Sequence, residues 1–326
     1  MTVKEKTLMM LEKNRDMFFS GEKLAEEIGV SRNAIWKAIK QLEVEGYKIE
    51  AVRNKGYRLD QENNVISSQG IRLYLNDTFK HLDIQAFTEV TSTNDEAKEL
   101  AMAGATHGTL IVANEQTKGR GRYGRRFESP KDTGIYMSII LDPKQLGSIP
   151  KELLTAYVAV VVSDVLSKFS QQEVGIKWVN DLFIKGKKVA GILTEASTNL
   201  ETGDIDWIVV GIGINVSTTT ERFSKDIQHV ATSLFNQEVS TLINRNELIA
   251  DLANQLLSDT NEKNLSEVME SYRHKSIVIG EVVKFQLGDI VYEGVAQTIL
   301  DDGSLVIKTT QGEEKQLRFG EISINI

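Results

Sequence analysis

"KGRGRYGRRFESP", residues 118–130, decides how the rest of the chain is read. Its Gly119-Arg120-Gly121-Arg122-Tyr123-Gly124 satisfies the G-x-G-x-x-G pattern of a dinucleotide-binding turn letter for letter. That pattern binds a pyrophosphate only where a strand enters the glycines and a helix leaves them. "GTLIVANE" (108–115) supplies the strand, but "RRFESPKDTG" (125–134) follows, with Pro130 and Gly134, and then the alternating, β-branched "IYMSIIL". No helix starts there, and the Rossmann reading fails. The charge outlives it: five of the nine residues from Lys118 to Arg126 are basic, in a chain of net charge -8. Gly119, Gly121 and Gly124 let backbone N–H groups approach an anion, which Lys118, Arg120, Arg122, Arg125 and Arg126 would neutralise. Such a loop is expected to be mobile and self-repelling when empty and to order when filled. A solvent-exposed basic turn is the competing reading, and the loop alone does not separate the two.

Around the loop, helices and strands are mixed from about residue 67 to 270. Ser92 or Asn94 starts a helix through "DEAKELAMAG", and "GIYMSIIL" is a strand. "KELLTAYVAVVVSDVLSKF" is a helix with Leu154, Tyr157, Val158, Val161, Val165 and Phe169 on a buried stripe. "GIKWVNDLFIKGKKVAGILTE" reads as a hairpin turning at Gly186, and "DWIVVGIGINVS" as an adjacent strand. Strands joined by hairpins and flanked by helices indicate an α+β layer. After Lys275 only short strands follow, punctuated by Gly288-Asp289 and Asp302-Gly303, which predicts a small β-barrel.

The N-terminal texture differs again. In "SGEKLAEEIGVSRNAIWKAIKQLEVEG", Ser20 caps one helix, Gly29 supplies a tight turn, and Ser31 caps a second helix with Ile35, Ile39 and Leu42 inward. Arg32, Asn33, Trp36, Lys37 and Lys40 then face outward. "YKIEAVRNKGYRL" adds two strands around Asn54-Lys55-Gly56, with Arg53 and Lys55 near the tip. This predicts a winged helix whose second helix enters the major groove while the wing meets the backbone. A small bundle with a solvated basic face is the blander alternative. Residues 31–58 hold seven Lys/Arg against three Glu, which points to a local anionic partner. "QENNVI" (61–66) reads as a polar linker. Three domains are expected: 1–62, a winged helix-turn-helix; 67–272, catalytic; and 275–326, the barrel.

Composition limits the chemistry. The chain has 326 residues, 41% hydrophobic and 26% charged, the balance of a protein with a full-sized core. It has no cysteine and four scattered histidines, which excludes disulfides and thiolate chemistry and argues against zinc. The apolar run Leu153–Ser163 stops at Asp164, too short for a bilayer, and "MTVKEKTLMMLEKNRD" lacks a secretory apolar segment. A cytoplasmic protein without membrane partners is expected.

The loop, taken with four other segments, resembles the biotin–protein ligases, in particular the bifunctional kind that also represses the biotin operon. "GRGRYGRRFESP" is similar to that family's G-R-G-R-x-G-R-x-W-x-S-P, "KWVNDLF" to K-W-P-N-D-L, and "KKVAGILTE" to R-K-x-A-G-I-L-x-E; "GIGINV" and "TSTNDEA" match its remaining signatures. The likeness covers essentially the whole chain and implies a class II synthetase-like ligase domain followed by an SH3-like barrel. Two positions depart from it. Val179 stands where the family has proline, and Phe127 where it has tryptophan, which keeps an aromatic face but loses the indole donor.

The resemblance implies that biotin and ATP form biotinoyl-5'-AMP, with Mg2+, and that biotin passes to a lysine of a biotin carboxyl carrier domain. It implies that Ser92, Thr93, Asn94 and Gln116 meet the ureido edge, that Arg120, Gly121 and Arg122 hold the carboxylate and α-phosphate, and that Trp178 and Gly191 shape the ring pocket. Arg125 is expected near pyrophosphate, Phe127 against adenine, and Asn180, Asp181 and Asn215 near nucleotide, the first two also near the metal. Lys188 is expected beside the transferring phosphorus and Asp181 as the base of the transfer step; read by itself, Lys188 is a hairpin-turn charge. The adenylate-bound homodimer would bind operator DNA through Ser31, Arg32, Asn33, Trp36, Lys37, Lys40, Arg53 and Lys55. A ligand-sensing repressor without catalysis and a lipoate-type acyl-adenylating ligase are the rivals. The three loop arginines and Lys188 weigh against the first, and the G-R-G-R loop with "KWVNDL" against the second.

Overall fold

The computed structural model describes residues 1–61, 63–199, 201–235, 243–258, 264–287 and 290–324. They form two compact units, Met1–His81 with Ser240–Asp251, and Leu82–Val239 with Leu252–Ile326. The chain thus divides after His81 rather than at a 61–66 linker, and the C-terminal strands belong to the larger unit. Glu62, the expected end of the first domain, and the expected Gly288-Asp289 turn lie outside the described residues.

The first unit holds α1 (Val3–Lys13), α2 (Gly21–Ile28), α3 (Arg32–Val44), β1 (Ile49–Val52), β2 (Gly56–Leu59) and α4 (Ser68–Tyr74). Local chemistry sets the boundaries. Ser20 and Ser31 accept the Lys23 and Ala34 N–H groups, and Gly29 ends α2 at φ 77. Leu8, Leu11, Phe19, Leu24, Ile35, Ile39, Leu42, Tyr47 and Leu59 form the core. β1 and β2 pair antiparallel from Ile49↔Leu59 to Val52↔Gly56, making the wing. The Gly56 backbone runs so close to Phe19 that a Cβ there would lie 2.0 Å from its carbonyl oxygen.

The 61–66 segment is not a free polar tether. Arg15 donates to the Asn63 carbonyl at 2.9 Å, and the Asn63 side chain accepts the Lys48 N–H at 3.0 Å. Arg245, buried to 2% exposure, donates to the Asn64 carbonyl at 3.1 Å, while Asn246 bonds Val65 and Ser67. The polar side chains satisfy backbone groups that would otherwise be buried unpaired.

In the second unit one seven-stranded sheet carries the architecture. Its strands are β3 (Ile84–Phe87), β4 (Leu110–Ala113), β5 (Gly134–Leu141), β6 (Gly175–Lys177), β7 (Asp181–Ile184), β8 (Lys187–Thr198) and β9 (Ile205–Asn215), in the order β3-β4-β5-β9-β8-β7-β6. Only β3 and β4 run parallel; the other neighbours are antiparallel, as an α+β layer requires. α5 (Thr93–Met102) lies against β4, β5 and β9. α6 (Leu154–Ser170) is buried almost all round rather than along a stripe, because β6, β7 and β8 meet it as well as a later helix, Leu265–His274. Residues 151–170 are long and apolar enough by composition to cross a membrane, but that surface is spent on the core. α7 (Arg245–Ser258) belongs to the first unit up to Asp251 and to the second from Leu252, and α8 (Leu265–His274) follows.

The C-terminal strands β10 (Val282–Leu287), β11 (Ile290–Ile299), β12 (Leu305–Thr309), β13 (Glu314–Leu317) and β14 (Ile322–Ile324) form an antiparallel sheet ordered β13-β12-β11-β10-β14 around Val283, Phe285, Ala296, Ile307 and Leu317. Among the described residues β13 and β14 are not paired, so hydrogen bonding does not close the expected barrel.

Candidate functional site

Loop 118–130 folds back on itself. Gly121 N–H donates to the Arg125 carbonyl at 2.7 Å and Phe127 N–H to the Gly119 carbonyl at 2.9 Å, while Tyr123 and Gly124 turn the chain at φ 55 and 72. No α-helix leaves the glycines, only a short 3-10 turn, Arg122–Gly124. The loop borders an open cavity, about 780 Å³ with its mouth included. Ser92, Thr93, Asn94, Gln116, Arg120, Gly121, Arg122, Arg125, Phe127, Asn180, Asp181, Lys188 and Gly191 all line it.

The polar wall comes from the start of α5. Ser92 precedes the helix, yet its hydroxyl makes no capping bond, so capping does not account for it. Thr93 N–H donates to Gln116 Oε1 at 2.8 Å, and Gln116 Nε2 donates to Ser129 Oγ at 2.8 Å. The glycines of β9 make room opposite: a Cβ on Gly211 would stand 2.1 Å from Asn94 Oδ1, and one on Gly213 would stand 2.6 Å from the Phe127 ring.

Three of the loop's five basic residues are held by acceptors rather than left self-repelling. Arg120 forks onto Asp95 at 2.6 and 3.0 Å and reaches Glu195 at 3.4 Å. Burial alone would raise the Asp95 carboxyl, but bonds from Arg120 and Lys98 outweigh it and hold it below its usual range. Glu195 is lowered in the same way, against burial, by Asn94, Lys98 and Arg120. Burial pulls the Arg120 guanidinium down, but Asp95 and Glu195 raise it above its ordinary value. Arg122 reaches the Asn180 side-chain oxygen at 3.4 Å and the Gly320 carbonyl at 3.2 Å, and Arg125 pairs with Glu321. Lys188 is not in the hairpin turn, which lies at Lys185-Gly186 with φ 48 and 75. It sits on β8, its Nζ 2.7 Å from Asp181 Oδ1, with Gly191 the register partner of Asp181. Burial pushes the neighbouring Lys177 ammonium below its usual value despite the attraction of Asp181.

Two expected positions lie elsewhere. Trp178 is 3% exposed and does not line the cavity; its indole N–H donates to the Gly303 carbonyl at 3.0 Å. Asn215, at the end of β9, is also outside the lining, its amide donating to the Thr232 carbonyl at 3.0 Å. Both side chains are spent on neighbouring backbone. At Val179 the preceding peptide is cis and the carbonyl accepts the Tyr272 hydroxyl at 2.9 Å. Asp95, Ser138, Glu195 and Glu321 were not anticipated. Asp95 and Glu195 do stand inside two of the quoted motifs, "TSTNDEA" and "KKVAGILTE"; nothing in the sequence marks Glu321.

In the first unit Arg32, Asn33, Trp36, Lys37 and Lys40 are exposed along α3, as are Arg53 and Lys55 at the wing. Lys40 pairs with Glu43 at 2.6 Å. Ser31 Oγ is engaged as the helix cap, at 3.2 Å from the Ala34 nitrogen.

Three family models match in the order of these elements: an HTH domain over 3–58, the biotin/lipoate A/B protein ligase family over 85–215, and a biotin protein ligase C-terminal domain over 278–324. The chain is 33% identical to a bifunctional ligase/repressor BirA of Bacillus subtilis across 96% of both chains. It belongs to the bifunctional biotin ligase/repressor family. The Escherichia coli member is 30% identical over 94% of this chain and 93% of its own. Among solved structures, the family's fold recurs in a biotin protein ligase from Aquifex aeolicus in complex with biotin and ATP. That chain is 30% identical, with a TM-score of 0.62 over 74% of this chain and 98% of its own.

Proposed function

We propose that the chain activates biotin with ATP to biotinoyl-5'-AMP, transfers biotin to a lysine of a biotin carboxyl carrier domain, and in its adenylate-bound form binds operator DNA as a homodimer in the cytoplasm. The observation that carries this is the meeting, in one cavity, of the polar Thr93–Asn94–Gln116 wall with the cations Arg122 and Lys188. A carboxylate is already ionised at neutral pH, so its attack on the α-phosphorus needs no base. It needs positive charge and fixed geometry, since two anions must be brought together. Arg120 is already neutralised by Asp95 and Glu195, which moves the anion-holding role to Arg122, whose partners are an amide oxygen and a carbonyl. Arg125 serves the leaving pyrophosphate by exchanging Glu321 for it. Phe127 supports adenine from its seat on Gly213.

No group of three or more His, Cys, Asp or Glu capable of holding a metal occurs among the described residues. The donors present fit magnesium carried chiefly by the triphosphate, with Asn180 and Asp181 as side-chain oxygens, and the ion would there supply charge neutralisation. In the second half-reaction the acceptor lysine, with a pKa of about 10.4, must lose a proton. Asp181, held by Lys188, is the base assigned to that step, and the folded-back loop keeps water from the mixed anhydride. The exposed face of α3 and the wing supply the DNA contacts.

The test is exchange of labelled pyrophosphate into ATP with biotin, with lipoate, and with neither. Exchange that requires biotin, followed by labelling of a carrier domain, is expected. Exchange with lipoate alone, or binding of biotin without any exchange, overturns the reading in favour of a lipoate-type ligase or a non-catalytic repressor.

A further inference from the structure

One row of the central sheet is built around a side-chain amide. Ser138 on β5 and Leu193 on β8 are both register partners of Gly211 on β9. Asn94 lies over that row, in the space that only a glycine at 211 leaves open. Its Oδ1 accepts the Ser138 hydroxyl at 2.6 Å, and its Nδ2 donates to Glu195 Oε2 at 2.7 Å and reaches the Leu193 carbonyl at 3.4 Å.

Proton counting gives these bonds one direction. Asn94 Oδ1 can only accept, so the single proton of the Ser138 hydroxyl, which is fully buried, must go there. Ser138 Oγ is left to accept from Thr93 Oγ1 at 2.8 Å, the shorter contact taking the Thr93 proton from Gln116 Oε1 at 3.2 Å, which keeps the Thr93 N–H. Beyond Thr93, Gln116 donates to Ser129, whose hydroxyl donates to the Phe127 carbonyl at 3.2 Å. Flipping the Asn94 amide would set its oxygen against the Glu195 carboxylate, acceptor against acceptor. Glu195 therefore fixes the amide from one side and Ser138 from the other.

We infer that Ser138, Gly211 and Glu195 are positioning residues that fix which donors and acceptors the Thr93–Asn94–Gln116 wall offers, and so make the site selective for a cyclic urea over a cyclic guanidine of the same shape. The inference rests on the biotin-activating reading above. A cyclic urea presents a carbonyl acceptor between two N–H donors, and a guanidinium replaces that acceptor with a donor. A wall of fixed polarity rejects the replacement because a buried group would be left unpaired. A wall whose amide can turn accommodates both.

The experiment measures equilibrium binding of biotin, 2-iminobiotin at pH 7 and ATP to the full-length chain and to Ser138→Ala, Glu195→Gln and Gly211→Ala. The unmodified chain is expected to prefer biotin. Ser138→Ala should lose about tenfold in biotin affinity, the equivalent of one buried hydrogen bond, and narrow the preference by a similar factor, with ATP affinity unchanged. Glu195→Gln keeps the shape and should narrow the preference too, which carries the test if the alanine variant does not fold. Gly211→Ala displaces Asn94 and should abolish biotin binding. Biotin affinity and a urea-to-guanidine ratio unchanged in both Ser138→Ala and Glu195→Gln overturn the inference alone. If the unmodified chain binds neither ligand, the biotin reading falls and this inference with it.

Discussion

The chain has two basic surfaces, and they are built in opposite ways. In loop 118–130 three arginines are tied down before any ligand arrives: Arg120 by Asp95 and Glu195, Arg122 by Asn180 and the Gly320 carbonyl, Arg125 by Glu321. On α3 and the wing, Arg32, Lys37 and Arg53 are exposed and make no ion pair among the described residues. The difference follows from the anions each surface is proposed to meet. A reacting phosphate must be met at one point, so its cations are positioned in advance and need not reorganise during reaction. A nucleic-acid backbone repeats the same charge along its length, so mobile cations can each find a phosphate, with the gain coming from released counterions.

That contrast can be broken at four points. Lys188→Ala should give the largest effect, lowering biotin-dependent pyrophosphate exchange by about a hundredfold or more with little change in melting temperature. Near-normal exchange would leave Lys188 as merely the partner of Asp181. Arg122→Gly should come next, releasing biotinoyl-AMP about tenfold faster in a filter-retention assay, by the loss of one charge-assisted contact. Retention equal to that of the unmodified chain would remove Arg122 from the clamp.

On the other surface, Arg32→Ala and Lys37→Ala should weaken operator binding without touching ligation. Each should make the plot of log affinity against log salt shallower by about 0.9 if it removes one phosphate contact. An unchanged slope would show that these side chains meet no phosphate.

Arg120→Gly should have the smallest effect, one of stability rather than catalysis. Asp95 and Glu195 titrate below their ordinary values of 3.8 and 4.5 in the folded chain, so their stabilisation is present above those values and is lost as pH falls through the lower, folded ones. The variant should therefore melt below the unmodified chain at pH 7, and the gap should close as pH drops below about 4. A gap that persists in acid would mean that Arg120 stabilises by packing instead.

Periodicity and punctuation made much of this legible. Ser20, Gly29 and Ser31 mark the helix-turn-helix because capping and left-handed turns depend on the residue itself and its near neighbours. Lys185-Gly186 and the strands around it are visible for the same reason. Pairings across the chain were not visible. Arg120 meets Glu195 across 75 positions, and Arg125 meets Glu321 just before β14, where no spacing announces it. Trp178 lies in the short irregular stretch between β6 and β7, where strand alternation no longer fixes which way a side chain points. α4 has a good cap in Ser67 but only seven residues, too few for its apolar rhythm to stand out.

The Arg245 contact sets an order of events during synthesis. Asn64 and Arg245 are 181 positions apart, which at about 5–20 residues per second is roughly ten to forty seconds on the ribosome. Through that interval the winged helix can complete its own core, whose fully buried residues all lie before residue 60, while the backbone at 64–67 waits for partners not yet made. A chain arrested before residue 243 should accordingly show a protease-resistant fragment ending near residue 60 and rapid cleavage just beyond it. Extension past residue 258 should close that cleavage window.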